Sequence, residues 1–229
     1  MVAIRPKDMA KMIDYTVIAP DVNVKAVKNK CQDAIEHDFA SVSVNSSFIP
    51  LVARILKGSS VKVCSMIDYP LGSSTSETKA FETKDAIKNG AQEIDMAVNL
   101  SAIKDKNWKY LREDIKAVFD ATKIAGVTRD IITKVVFNGH LLTNEEIKQT
   151  CKIAKDVGVD FIKNNVLLTE EEKEAGENKV NLIRKTVGRG VGVEAFGNIE
   201  TFEDAIDVLD AGANRIGTEH GIEIVTDDN

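Results

Sequence analysis

The chain has 229 residues, with 30 Lys plus Arg against 36 Asp plus Glu, a formal net charge of −6. That balance argues against nucleic acid or an anionic membrane surface as a partner, because both demand a basic face. No run of about 18 apolar residues suggests a membrane span, and Met1 to Lys11 lacks the apolar core of a signal peptide. Cys31, Cys64 and Cys151 are widely spaced and odd in number. They read as reduced, mostly buried thiols of a cytoplasmic protein rather than a disulfide framework or a zinc site.

Short apolar runs alternate with amphipathic stretches from end to end. Asp14 to Ile18 reads as a strand stopped by Pro20, and Asn23 to His37 has helical spacing. Phe39 to Asn45 is strand-like, Ser47 to Leu56 helical, and Val61 to Ile67 a strand opening into the Pro70-Leu71-Gly72 loop. Ser76 to Asn89 is a helix stopped by Gly90, and Ile94 to Asn99 a strand. Trp108 to Ala125 is a long helix, and Asp130 to Asn138 a strand. Thr143 with Glu146 forms a capping box that opens a helix to Val157. Phe161 to Asn165 is the sixth strand, and Glu170 to Val187 is mostly helical. Val191 to Phe196 is a strand, Phe202 to Ala211 a helix, and Arg215 to Thr218 a last strand followed by a short acidic tail.

Eight such βα units without a linker predict one α/β domain over 1–229, a (β/α)8 TIM barrel whose C-terminal helix is short or missing. The first βα turn lacks the G-x-G-x-x-G pattern of dinucleotide folds. Chemistry in such barrels sits at the C-terminal strand ends. Those ends offer Asp14, Asn45, Asp95, Lys134, Asn138, His140, Lys163, Asn165, Glu194, Glu219 and His220. Residues two apart share a face, so Asp95, Lys134, Lys163 and Glu194 converge on the interior as candidate catalytic residues, the alternative being a buried ion-pair network that serves only structure. Lys163, at the end of an apolar run, reads either as an amine nucleophile or as an internal lysine held by a carboxylate.

The stretch Pro70-Leu71-Gly72-Ser73-Ser74-Thr75-Ser76-Glu77-Thr78-Lys79-Ala80-Phe81-Glu82-Thr83-Lys84 is specific. Together with Glu93-Ile94-Asp95-Met96, Lys134-Val135-Val136 and Asp160-Phe161-Ile162-Lys163, it resembles the deoxyribose-phosphate aldolases, lysine-dependent class I aldolases with a (β/α)8 fold. The likeness spans nearly the whole chain. It implies that Lys163 is the Schiff-base lysine, Asp95 the acid/base aspartate working through water, and Asp14 and Lys134 supporting polar residues. It implies a small-molecule carbonyl substrate, a homodimer, and no cofactor or metal beyond the covalent imine.

The departures from the family pattern fall at the chemistry. Glu194 stands where the family has a second lysine that keeps the first unprotonated, which should make Lys163 a poorer nucleophile unless Glu194 is protonated or turned away. The Thr-Ser-Thr-Gly run after the lysine has become Asn164-Asn165-Val166-Leu167. A glycine pair has become Gly197-Asn198, a nearby basic residue is Glu200, and a serine pair is Glu219-His220. A phosphate cradle works through backbone N–H groups and positive charge, so the expected substrate lacks phosphate. The expected substrate-binding set is Asn45, Asn138, His140, Asn165, Gly197, Asn198, Glu219 and His220. Two alternatives remain open: a different carbonyl or metal-assisted reaction in the same pocket, and a non-catalytic binding or assembly role.

Overall fold

The computed structural model describes residues 4–126, 130–166 and 173–226. Eight strands form the centre: β1 (Ile13–Val17), β2 (Ser41–Asn45), β3 (Lys62–Ile67), β4 (Glu93–Ala97), β5 (Ile132–Asn138), β6 (Phe161–Val166), β7 (Gly192–Gly197) and β8 (Arg215–Thr218). They pair in sequence order, all parallel, and β8 returns to β1 to close the barrel. Around them lie α1 (Pro6–Ala10), α2 (Val24–His37), α3 (Ile49–Ile55), α4 (Ser76–Lys88), α5 (Leu100–Lys104), α6 (Trp108–Ala125), α7 (Asn144–Val157), α8 (Lys173–Val187), α9 (Phe202–Asp210) and α10 (Gly221–Thr226). No helix among the described residues is long and apolar enough to cross a membrane.

The (β/α)8 expectation holds, and α10 is the short final helix. Three differences have local causes. Asn99 does not extend the fourth strand. Its side chain accepts from Ala102 N and caps α5, a helix the sequence reading passed over. Pro6 at the start of α1 presets a helical φ over a turn too short to show periodicity. The predicted helix from Glu170 begins, within the described residues, at Lys173, and Leu167 and Leu168 lie outside them. Where capping chemistry is strong the reading is accurate. Thr143 and Glu146 form the reciprocal box of α7, and Gly158 closes it at φ +103°.

The strands are buried on both faces, but by different chemistry. Outward-pointing Ile13, Tyr15, Val42, Val44, Ile94, Val135, Ile162 and Val193 join the apolar layer under the helices. Inward-pointing Asp14, Ser41, Ser43, Glu93, Asp95, Lys134, Lys163, Glu194 and Arg215 are polar and almost entirely shielded from solvent. The fold is therefore held by an ordinary apolar shell around an ionic centre, and that centre positions the site.

Candidate active site

Strand register builds the ionic centre. Asp95 pairs beside Lys134, Lys163 beside Glu194, and Glu194 beside Arg215. Lys134 Nζ lies 2.6 Å from Asp14 Oδ2, 2.8 Å from Glu194 Oε2, 3.0 Å from Glu93 Oε2 and 3.5 Å from Asp95 Oδ1. Lys163 Nζ donates to Asp95 Oδ2 at 2.6 Å and sits 2.7 Å from Glu194 Oε1. Arg215 donates to both oxygens of Glu93, at 3.0 and 2.9 Å, and pairs with Asp14 Oδ1 at 2.6 Å. Ser41 Oγ donates to the same Asp14 oxygen at 2.6 Å. The fork of Arg215 thus ties the first strand to the last.

Aromatic rings bound this layer above and below. The Phe161 ring centroid lies 5.8 Å from Lys134 Nζ and 5.6 Å from Arg215 Cζ. On the mouth side, Phe196 lies 4.9 Å from Lys163 Nζ and meets Tyr69 edge-on at 6.5 Å. Gly217 leaves room beside the lysine. A Cβ there would stand 2.6 Å from Phe196 Cβ, 2.9 Å from Glu194 Oε1 and 3.5 Å from Lys163 Nζ.

The electrostatics follow from burial and from an imbalance, three cations (Lys134, Lys163, Arg215) against four carboxylates (Asp14, Glu93, Asp95, Glu194). Burial works against the charge on Lys163, but Asp95 and Glu194 outweigh it and raise its pKa above the ordinary value. Lys134 is likewise raised, by Asp14, Asp95, Glu194 and Glu93 against the effect of burial. Burial works to raise Asp14 and Asp95 too. Arg215 and Lys134 dominate at Asp14, and Lys134 and Lys163 at Asp95, so both stay below the usual carboxylate range. Glu194 is the exception. Burial and the neighbouring Asp14 push it up to about 7 against the pull of both lysines. Glu194 is thus not turned away: it lies 2.7 Å from Lys163 Nζ and, when ionised, raises the pKa of that lysine.

The predicted site residues separate into two layers. Asp14, Asp95, Lys134, Lys163 and Glu194 meet in the ionic centre. Asp14 is not at its strand end, as the sequence suggested, but at the second position of β1, with its carboxylate deep in the barrel. Above, a cavity of about 780 Å³ brings together Asn45, Asn165, Gly197, Asn198, Glu219 and His220 of the expected substrate-binding set. Asn138 instead lines a smaller apolar annex of about 260 Å³, where its Oδ1 accepts from His140 N. His140 lines neither cavity. Asn164 does not face the mouth. Its Oδ1 accepts from Gly139 N, so it anchors the turn after β5. Glu200 is exposed and absent from the cavity lining.

Sequence reasoning missed Glu93 and Arg215, both members of the ionic centre. The signal for Glu93 was its spacing of two from Asp95, which sets both on one strand face. Arg215 opens an apolar strand, and only barrel closure brings it to Asp14. Also missed as site residues were Phe196, which lines the cavity and lies against Lys163, and Tyr69, which lines the cavity and meets Phe196. Among the described residues no group of three or more His, Cys, Asp or Glu side chains is arranged to hold a metal ion.

The family model for DeoC/LacD family aldolases matches residues 8–222. The chain belongs to this family. A deoxyribose-phosphate aldolase of Clostridium perfringens is 43% identical over 218 residues, covering 95% of this chain and 94% of that one. One of Brevibacillus brevis is 43% identical over 219 residues, covering 96% of each. Among solved structures, QR15, an aldolase, superposes at a TM-score of 0.84 with 31% identity, covering 95% of this chain and 94% of that one. A tetrameric deoxyribose phosphate aldolase from Aeropyrum pernix superposes at 0.85 with 24% identity, covering 96% and 90%, a likeness of fold. The chain is accordingly a lyase of the aldolase type, similar to deoxyribose-phosphate aldolase.

Proposed function

We propose that the protein is a class I aldolase in which Lys163 forms an imine with a small aldehyde or ketone that carries no phosphate. One observation carries the reading. Lys163, in contact with Asp95, is buried in the barrel below a cavity whose described lining includes Glu219 and neither lysine nor arginine, the Lys30 ammonium meeting Glu219 at its backbone oxygen. A mouth without a lining lysine or arginine suits a neutral or cationic substituent better than a phosphate dianion.

In the cleavage direction the free amine of Lys163 adds to the substrate carbonyl, and the carbinolamine loses water to give an imine. The imine draws electrons from the neighbouring C–C bond. That bond breaks as a proton leaves the hydroxyl on the departing carbon, releasing an aldehyde and leaving an enamine. Asp95, 2.6 Å from Nζ, holds the nitrogen in place and moves protons at the enamine stage through water. Protonation of the enamine and hydrolysis free Lys163. Run in reverse, the enamine of a small aldehyde adds to a second aldehyde.

The test is borohydride trapping with a panel of small aldehydes and ketones, followed by peptide mass mapping. A reduced adduct on Lys163 is expected, and its loss in Lys163→Met. Turnover of 2-deoxyribose 5-phosphate at a rate matching the best phosphate-free substrate would overturn the second half of the reading.

A further inference from the structure

The ionic centre holds one more carboxylate than it has cations, and the surplus falls beside the proposed nucleophile. Asp14 is engaged by Lys134, Arg215 and Ser41. Glu93 is clasped by the Arg215 fork and Lys134. Asp95 receives the hydrogen bond of Lys163 on Oδ2. Glu194 Oε2 accepts from Lys134 at 2.8 Å. Its other oxygen, Oε1, is buried 2.7 Å from Lys163 Nζ, yet no donor among the described residues reaches it in bonding geometry. Asp95 Oδ1 is buried and unpartnered too, and the Glu194 carboxyl also meets Asp14, but Glu194 Oε1 is the unpartnered oxygen that lies against the lysine.

We infer that Glu194 is the proton carrier of Lys163, taking a proton from its ammonium to free the amine and returning it to the carbinolamine hydroxyl. The inference rests on the imine reading above and adds a catalytic residue to it, because Oε1 touches the reacting nitrogen. The steps balance. Lys163–NH3+ and Glu194–COO− become Lys163–NH2 and Glu194–COOH. The amine adds to the carbonyl carbon, and the nitrogen passes one proton to the former carbonyl oxygen. Glu194–COOH then protonates that hydroxyl, the C–O bond breaks, and water leaves. The products are a protonated imine and Glu194–COO−. The pair begins and ends with one positive and one negative charge, so the buried site gains no net charge on forming the intermediate. A lysine at position 194 would lower the pKa of Lys163 by repulsion, whereas Glu194 reaches the free amine by proton transfer and then stabilises the cationic imine.

The groups facing Glu194 are Lys163 from β6, Lys134 from β5, Asp14 from β1, Asp95 from β4 and Arg215 from β8. Below neutrality Glu194 holds its own proton and cannot accept one from Lys163. As pH rises through about 7 the carboxylate forms and the transfer becomes possible. The limb belongs to the pair, not to either residue alone.

The experiment measures the initial rate of Lys163 adduct formation with propanal and cyanoborohydride from pH 5.5 to 9.5, for the wild-type protein, Glu194→Gln and Glu194→Asp. The wild type is expected to rise through a single limb near pH 7. In Glu194→Gln that limb disappears, and trapping at pH 7 falls by about 100-fold or more, the usual worth of a general base. Glu194→Gln removes the surplus charge and so spares the fold. Glu194→Asp keeps the charge but withdraws the oxygen by one methylene, so an intermediate loss with the limb retained is expected. Equal rates and limbs in all three proteins would overturn the inference while leaving the imine standing. Absence of any Lys163 adduct in the wild type, with propanal and with the wider panel, would overturn both.

Discussion

Phe196 lies over Lys163, and its ring belongs to the same strand face as Glu194. Lys163 is fully buried, so a carbonyl carbon reaches Nζ only if a covering group moves, and the Phe196 ring is one such group. Phe196→Ala should therefore raise the rate of adduct formation on Lys163, by roughly tenfold if ring motion limits access. The same change should cost about 3 kcal/mol of stability, the usual loss for a buried phenylalanine, measured by urea unfolding. A rate equal to that of the wild type would show that the ring is no barrier. At this scale the sequence was legible where spacing alone decides a face. Asp95, Lys134, Lys163 and Glu194 were read together on the interior face. What could not be read is which of two carboxylates facing one lysine keeps its proton. That depends on a surplus of one charge over several strands, and Arg215 entered the count only through barrel closure.

The segment from the end of β3 into α4 carried the strongest family likeness, and its residues are tied to each other and to α6 and the end of β4. Lys79 is fully buried and donates to Gly72 O at 2.9 Å, Ala97 O at 3.1 Å and Asp114 Oδ2 at 2.6 Å. Ser76 Oγ donates to Asp114 Oδ1, while Asp68 accepts from Ser74 N and Oγ. This lock holds the loop bearing Tyr69 and Pro70 against the mouth. Lys79→Met would leave Asp114 buried without its cation, and a loss of about 3–5 kcal/mol is expected in urea unfolding. Because the lysine touches neither cavity, initial-rate kinetics on a substrate identified by trapping should show a raised KM with a smaller change in kcat. Element boundaries were legible to within a residue or two where a cap or glycine marks them, as at Thr143, Gly158 and Trp108. They failed at Asn99, because a polar residue after an apolar strand fits the strand's last position and a helix cap equally well until the backbone turns.

For the molecule as a whole, the ionic centre makes stability depend on pH in two opposed ways. Asp14 and Asp95 are held below their ordinary values despite burial. Their contribution is present above the unfolded carboxylate range, about pH 4, and is lost as pH falls further. Glu194 is raised to about 7 by burial and Asp14. Its contribution is present below its unfolded value, about 4.5, and fades as pH rises through about 7. A shift of that size is worth about 3 kcal/mol. Thermal melting should therefore show the highest Tm in mildly acid solution. In Glu194→Gln the decline between pH 5 and 7 should flatten, and a decline as steep as the wild type's would show that Glu194 is already ionised at pH 5. The barrel itself was the most legible feature, since strands buried on both faces give continuous apolar runs and each is followed by a helical period. The polar interior was legible only in part, because an inward-facing serine or glutamate interrupts such a run without revealing its partner.

The closure of Arg215 on Asp14 also shapes how the chain finds its fold. Asp14 lies in the first strand and Arg215 in the last, so the circuit has no partial version. A barrel missing either end strand keeps Lys134, Asp95 and Glu194 indoors with one partner too few, at a cost of several kcal/mol. Half-assembled barrels are therefore poorly tolerated, and contacts so distant along the chain form late. The protein should open as one unit, with native-state hydrogen exchange showing β1 and β8 protected nearly as strongly as β4 and β5 rather than fraying at the seam.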